Sequence, residues 1–376
     1  MVLNMKRPRS PWRKLMKILK WIGVSIAAIL VLALGTVFIT RAVKTGQTKI
    51  NTENGIQESS YVELNGISQF VQIRGEDKEN PVILMLHGGP GSPITFLSSY
   101  YQQGLEQDYT LVNFDQRGSG RTYYANLGQD IPLSMRDILS DIDALVDYLL
   151  ERFGQEKVIL LGHSWGTMLG SIYVKEHPEK VAAYIGVGQS VNSADGETFR
   201  ANEAIRRAQV NGDDTAVQEL SVLLGQYSAF KEGSKEAFLL SMEMREVSAP
   251  YFRYEGEIST PQTLWLGVSS PDMSLTDMRW FLDLNGSLED FLALEGPLLE
   301  DCMTFRLEEL GSEYPVPVYY ISGENDWITP VALVKEYYQT VEAPEKEMII
   351  LQNAGHSPFL DDSEAFCNAV AGVLGK

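Results

Sequence analysis

Cysteine and histidine are scarce in this chain: 376 residues contain only Cys302 and Cys367 and four histidines. Neither H-E-x-x-H nor paired C-x-x-C occurs, and four scattered histidines do not make a ligand set, so no metal and no cofactor is expected. Gly186-Val-Gly188 lacks the third glycine and the helix start of a dinucleotide fingerprint. Two cysteines could form one disulfide in an exported body, but their spacing does not demand it, and two free or buried thiols are expected. Repeats and low-complexity tracts are also missing, and 44% hydrophobic content excludes a disordered or fibrous chain.

Acidic residues are absent from residues 1–49, which hold ten of the 31 lysines and arginines. The remainder carries all 50 aspartates and glutamates, so a basic head joins a strongly acidic body. Such a body lacks the clustered cations that phosphate contacts need, which argues against nucleic acid as a partner. Charge is missing altogether from Trp21 to Thr40. At ~1.5 Å per residue this run is about as long as a bilayer core is thick, and it reads as one membrane-spanning helix. The basic residues cluster before it, so the positive-inside bias keeps residues 1–20 in the cytoplasm and places the body outside the cytoplasm, at the cell membrane. A cleaved signal peptide, with Ala33-Leu34-Gly35 as its small-x-small site, is the alternative, but the apolar run exceeds the roughly 7–15 residues of a usual signal core.

Residues 41–59 are polar and aperiodic and read as a linker. A β-hairpin follows at Tyr61–Leu64 and Ile67–Ile73 around Asn65-Gly66, a pair that tolerates positive φ. Val82–Leu86 is a continuous apolar run suited to a strand buried on both faces. Strands at Thr110–Phe114, Val158–Leu161 and Ala182–Val187 then alternate with helices at Met135–Phe153 and from Trp165, which implies a parallel sheet. Strand signals fade over residues 191–312, where Glu203–Val210, Ala216–Phe230 and Lys235–Glu246 read as helices of an inserted cap. They return at Val316–Ile321 and Met348–Leu351, with helices at Val331–Val341 and Glu364–Leu374. The core thus has two parts, residues 60–190 and 313–376, of an α/β fold.

Gly162-His163-Ser164-Trp165-Gly166 lies between a strand and a helix, where small flanking residues let the chain turn sharply with a serine at the apex. A serine hydroxyl needs a base to take its proton and an acid to orient that base. His163 lies inside the elbow, His177 precedes a proline and His87 belongs to a glycine-rich loop. His356, in Asn353-Ala-Gly-His-Ser-Pro358 directly after a strand, remains as the base. The acid is expected in Gly323-Glu-Asn-Asp326 after the preceding strand, with Asp326 better placed than Glu324 because Pro330 suits the first turn of the next helix. Oxyanion donors are expected from the Trp165 amide and from the His87-Gly88-Gly89-Pro90-Gly91 loop. Asp115 and Arg117 are expected to form an ion pair behind that loop.

These segments, with Asp115-Gln-Arg-Gly-Ser-Gly120, resemble the proline iminopeptidase branch of the α/β-hydrolases over about residues 60–190 and 313–376. The resemblance implies an α/β-hydrolase fold, a Ser164–Asp326–His356 triad, Gly89 as the second oxyanion donor, and release of an N-terminal proline or another residue from short peptides. It also implies cap glutamates that bind the free amine, for which Glu197, Glu203, Glu243 and Glu246 are candidates. The partners expected are therefore a small peptide or ester substrate and the membrane. An esterase or lipase-like hydrolase is the alternative, which a cap pocket without a buried carboxylate would favour. A non-catalytic binding protein on the same fold is a third reading, and the composition leaves the oligomeric state open.

Overall fold

The computed structural model describes residues 11–375. Eight strands form one sheet: β1 (Ile56–Leu64), β2 (Ile67–Gly75), β3 (Val82–Leu86), β4 (Thr110–Phe114), β5 (Val158–His163), β6 (Val181–Val187), β7 (Val318–Gly323) and β8 (Lys346–Leu351). Their spatial order is β1-β2-β4-β3-β5-β6-β7-β8. Antiparallel pairing joins β1 to β2 and β2 to β4, and every later pair is parallel. The Asn65-Gly66 turn has φ +49° and +78°, the left-handed pair that such a two-residue hairpin requires.

Parallel register aligns the carboxyl ends of the central strands. Leu86 pairs with Gly162, His163 with Val187, Val187 with Ile321, and Gly323 with Leu351. The loops after β3, β5, β7 and β8 therefore emerge along one edge of the sheet, where open α/β sheets bind ligands. Helices Met135–Phe153 and Trp165–Glu176 cover one face, and the terminal helix Ser363–Val373 covers the other. Met135–Phe153 forms where expected, with the Ser134 side chain accepting from the Asp137 amide and Gly154 in the left-handed conformation at its end.

Between β6 and β7 six helices run from Ser193 to Met303: Ser193–Asn211, Asp214–Tyr227, Lys235–Ser248, Thr260–Val268, Leu275–Leu284 and Leu288–Met303. The first starts ten residues before the expected Glu203, because Asn192 caps it by accepting from the Asp195 amide. Both cysteines are free, Cys302 in Leu288–Met303 and Cys367 in Ser363–Val373.

The stretch 41–59 is more ordered than a linker. The N-terminal helix runs Pro11–Gln47, and β1 begins at Ile56. Two things extend the helix past its uncharged run: the Thr45 and Thr48 hydroxyls donate to the Arg41 and Lys44 carbonyls, and Arg41 and Lys44 reach Met273 and Ser269. Strand β1 starts early because Ile56–Ser60 pairs with Val71–Gly75. Leu15–Gln47 is long and apolar enough to cross a membrane, while the basic residues Lys6, Arg7 and Arg9 lie outside the described residues.

Leu145, fully buried in the cluster between Met135–Phe153 and the sheet, gives a test of this packing. Leu145→Ala is expected to destabilise the protein by about 2–5 kcal/mol, read as a lowered denaturant midpoint in detergent. An unchanged midpoint would place that helix outside the core.

Candidate active site

Ser164 stands at the turn from β5 into Trp165–Glu176 with φ +52° and ψ −118°. A non-glycine residue there costs of order 1–3 kcal/mol, so the surroundings must impose it. Its amide donates to the Val187 carbonyl at 3.1 Å, and its own carbonyl accepts from the Thr167 amide at 2.8 Å and the Thr167 hydroxyl at 2.6 Å. Crossing of strand and helix is tight as well. A Cβ on Gly166 would run into the Leu86 carbonyl oxygen, and one on Gly162 into the Gly166 carbonyl.

His356 Nδ1 lies 3.1 and 3.0 Å from the two Asp326 oxygens. Asp326 is buried, whereas the His356 side chain keeps 21% of its exposure and lines the same cavity as Ser164. Burial is the largest single influence on the Asp326 carboxyl and pushes it up, and the charge of His356 opposes it without outweighing it alone. Hydrogen bonds from His356 and from the Thr329 hydroxyl and amide add to that charge, and the carboxyl is held below its usual value. Asp326 is thus an anion whose partners fix the ring. Glu324, the competing acid, instead accepts from the Asn353 amide at 3.1 Å and braces the loop that carries His356. His163 lies beneath that loop, with its Nε2 2.9 Å from the His356 carbonyl oxygen and burial lowering its ring to about 3. That neutral ring is a brace for the loop.

On the other side of Ser164, the loop after β3 lines the cavity with Gly88, Gly89 and Pro90, as does Trp165. The Trp165 amide falls in the first turn of its helix, where amides have no intrahelical partner. Gln116 ties the region together, donating from its side chain to the His87 carbonyl and accepting from the Trp165 indole, both at 3.1 Å. The expected Asp115–Arg117 pair does not form. Arg117 makes a two-pronged contact with Asp141 of Met135–Phe153 at 2.6 and 2.7 Å, while buried Asp115 accepts from the Thr95 hydroxyl and the Arg121 amide. Those two neutral donors fill the place next to Asp115 that an arginine side chain would need.

The cavity over Ser164 measures about 980 Å³ and is walled mainly by apolar side chains, among them Met168, Phe238, Leu288, Phe291, Leu299 and Phe359. Of the four glutamates expected to hold an amine, only Glu197 lines it, and its carboxylate is ion-paired with Arg245. Glu203 is taken by Arg206 and Arg207 on the outer side of Ser193–Asn211, and Glu243 and Glu246 are exposed to solvent. These three side chains point away because the buried stripes of their helices run through Ala201, Ala204, Ala208 and Met244.

A carboxylate missed in the sequence is Glu295. It is 1% exposed, and no cation or hydrogen-bond donor meets it among the described residues, so burial alone pushes its carboxyl up to about 8. It abuts Gly91, where any Cβ would collide with it, between the cavity-lining Pro90 and Ser92. On its own helix it shares the face of Leu288, Phe291, Leu299 and Cys302, all cavity residues. The signal was available: Glu295 is the one charge at helical spacing within that apolar stripe.

The sequence profile of the α/β hydrolase fold matches residues 81–363. The chain belongs to the α/β-hydrolase fold family. It is 28% identical to a probable aminopeptidase, YbaC, of Bacillus subtilis (strain 168), over 82% of this chain and 93% of that protein. It is 26% identical to the proline iminopeptidase of Lactobacillus delbrueckii subsp. bulgaricus, over 81% of this chain and 94% of the relative. Among solved structures, the proline iminopeptidase of Mycobacterium smegmatis superposes with a TM-score of 0.57 at 19% identity, covering 84% of this chain and 97% of that one, a likeness of fold. Membership of this family makes the chain a hydrolase.

Glu295 gives the site a pH signature. A carboxyl whose pKa is raised on folding binds its proton more tightly in the folded state, so its contribution to stability is present below about 4.5 and is lost as pH rises towards about 8. The thermal stability of wild type is expected to fall over that window, and Glu295→Gln is expected to flatten the loss and to be the more stable form at pH 8. Parallel pH profiles of the two proteins would contradict the burial of an unpaired carboxyl.

Proposed function

We propose that the protein is a membrane-anchored serine aminopeptidase. Ser164 Oγ attacks the carbonyl carbon of an N-terminal residue while His356 Nε2 takes its proton, and Asp326 stabilises the imidazolium. The Gly89 and Trp165 amides hold the oxyanion. Collapse of the tetrahedral intermediate breaks the C–N bond, His356 returns the proton to the leaving amine, and water attacks the acyl-enzyme by the same route to release the acid and restore Ser164.

The observation that carries the free-amine half of this reading is Glu295, a buried carboxyl with no cation of its own beside the oxyanion loop. Burying a lone charge is costly, and a substrate ammonium supplies the counter-charge that would keep Glu295 ionised. Similarity to a probable aminopeptidase and to proline iminopeptidases points the same way. The helix Leu15–Gln47 would anchor the chain, and the excess of basic residues before its uncharged run favours a cytoplasmic N-terminus and an extracytoplasmic body. One observation favours a second reading, an esterase for apolar acyl groups: the cavity is large and mostly apolar, and its own carboxylate, Glu197, is already neutralised by Arg245.

Hydrolysis of prolyl-, alanyl- and N-blocked prolyl-arylamides beside a short-chain aryl ester separates these readings. Turnover of the free-amine amides is expected, with loss of at least about a thousandfold in Ser164→Ala and on N-blocking. Ester-only turnover would support the esterase, and no turnover would support a non-catalytic binding protein. Glu295→Gln is expected to lower kcat/KM for the free-amine amides by about 10- to 150-fold, the worth of one charged hydrogen bond, and to leave ester hydrolysis within about twofold. Equal losses on both substrates would assign Glu295 to structure alone.

A further inference from the structure

We infer that one face of the helical insertion is seated in the surface of the bilayer, beside the N-terminal helix. The inference rests on that helix being a membrane anchor. Thr260–Val268 and Leu275–Leu284 expose Leu264, Trp265, Leu275, Met278, Phe281 and Leu282, with Leu275 83% and Leu282 66% exposed. Leu275, Met278 and Leu282 follow one another at helical spacing, so they form an outward stripe. The opposite side of the same helix is committed to the body, through the Arg121–Asp277 ion pair and the Trp280 indole donating to the Gly91 carbonyl. This helix has an apolar face that the fold leaves uncovered.

What covers it follows from where the anchor leaves the membrane. Arg41, the first charge after the uncharged run, donates to the Met273 carbonyl, and Lys44 Nζ lies 2.7 Å from Ser269 Oγ. Ser269 and Met273 belong to the connection between the two helices that carry the apolar face. The body also covers the anchor below this level. Within Leu15–Gln47 the partly buried residues are Gly35, Val37, Thr40, Arg41 and Lys44, and Thr48 just past the helix end continues the side of Val37, Arg41 and Lys44. At ~1.5 Å per residue, Val37 lies about 6 Å deeper than Arg41, within the depth that surface-seated amphipathic helices reach. An element that packs on the anchor at that depth is itself at the headgroup and acyl boundary. Trp265 there has the amphipathic ring typical of such interfaces.

Spin labels on the full-length protein in phosphatidylcholine/phosphatidylglycerol vesicles test the inference through accessibility to oxygen and to a water-soluble nickel chelate. Single cysteines replace Leu282 on the proposed face, Val31 in the anchor and the 75%-exposed Val210 as a solvent control. The native thiols of Cys302 and Cys367 are pushed up by burial to about 11, and the unmutated chain serves as the labelling blank. Labels at Leu282 and Val31 are expected to favour oxygen, and the Val210 label to favour the chelate. A chelate-accessible Leu282 label beside an oxygen-accessible Val31 label overturns the inference alone. A chelate-accessible Val31 label overturns the anchor and the inference with it. Spin–spin broadening at Leu282 without lipid accessibility assigns the face to a second copy of the chain and also overturns the inference.

Discussion

The left-handed backbone of Ser164 is the constraint on which the site depends. It is held because a strand and a helix meet with no side chain between them: Gly162 and Gly166 allow the turn, and the Leu86 carbonyl closes over it. Val187 and Thr167 then fix the serine's amide and carbonyl, and the Thr167 hydroxyl in turn accepts from the Ser190 amide, the residue that leads into the insertion. A conformation disfavoured by of order 1–3 kcal/mol thus becomes the one the surroundings permit. The parallel register does the rest, since strands ending level with β5 deliver the Asp326 and His356 loops to the same edge. Gly188 shows how close they come: a Cβ there would touch Asp326 Oδ2 and His356 Nδ1, each at 3.2 Å.

Much of this was legible because its signals are local. The Asn-Gly turn, the Ser134 cap, the five-residue apolar run of β3 and the glycines around Ser164 each act over a few residues, and each element formed where its signal stood. Partners of charged side chains were not legible. Arg117 finds Asp141, 24 positions away on a helix, in place of Asp115 two positions away, because only the packed helix presents a buried carboxylate to both prongs of the guanidinium. The cap glutamates failed for a related reason. In a chain with 50 acidic residues, type says nothing about which one is buried, and only position on an apolar stripe separates Glu295 from its exposed neighbours.

The insertion is joined to the chemistry at several points. Trp327, the residue after Asp326, stacks on Phe252 at 4.6 Å and on Phe199 at 6.3 Å, with the Arg207 guanidinium 4.6 Å from its ring centre. Trp280 and Arg121–Asp277 tie the insertion to Gly91 and Arg121, in the segments after β3 and β4. Cap and core therefore share the two loops that flank Ser164, and a change in cap packing reaches Asp326 as well as the cavity over Ser164.

That coupling bears on how a cationic substrate would be selected. The net charge of −19 gives the protein a negative field that draws amines towards it, but such fields decay over ~8 Å at physiological salt and do not distinguish a free α-amine from a lysine side chain. A buried carboxyl does distinguish them, because it rewards only a charge that reaches it and strips its water. Glu295 sits against Gly91, between Pro90 and Ser92 of the cavity over Ser164, so the distance from an amine held there to Ser164 would be set by the fold. On the proposed reading, chemistry held by the sheet edge and selection held by one cap carboxyl are separate properties, and a homologous cap without that carboxyl would keep the hydrolase and lose the proposed preference for a free amine.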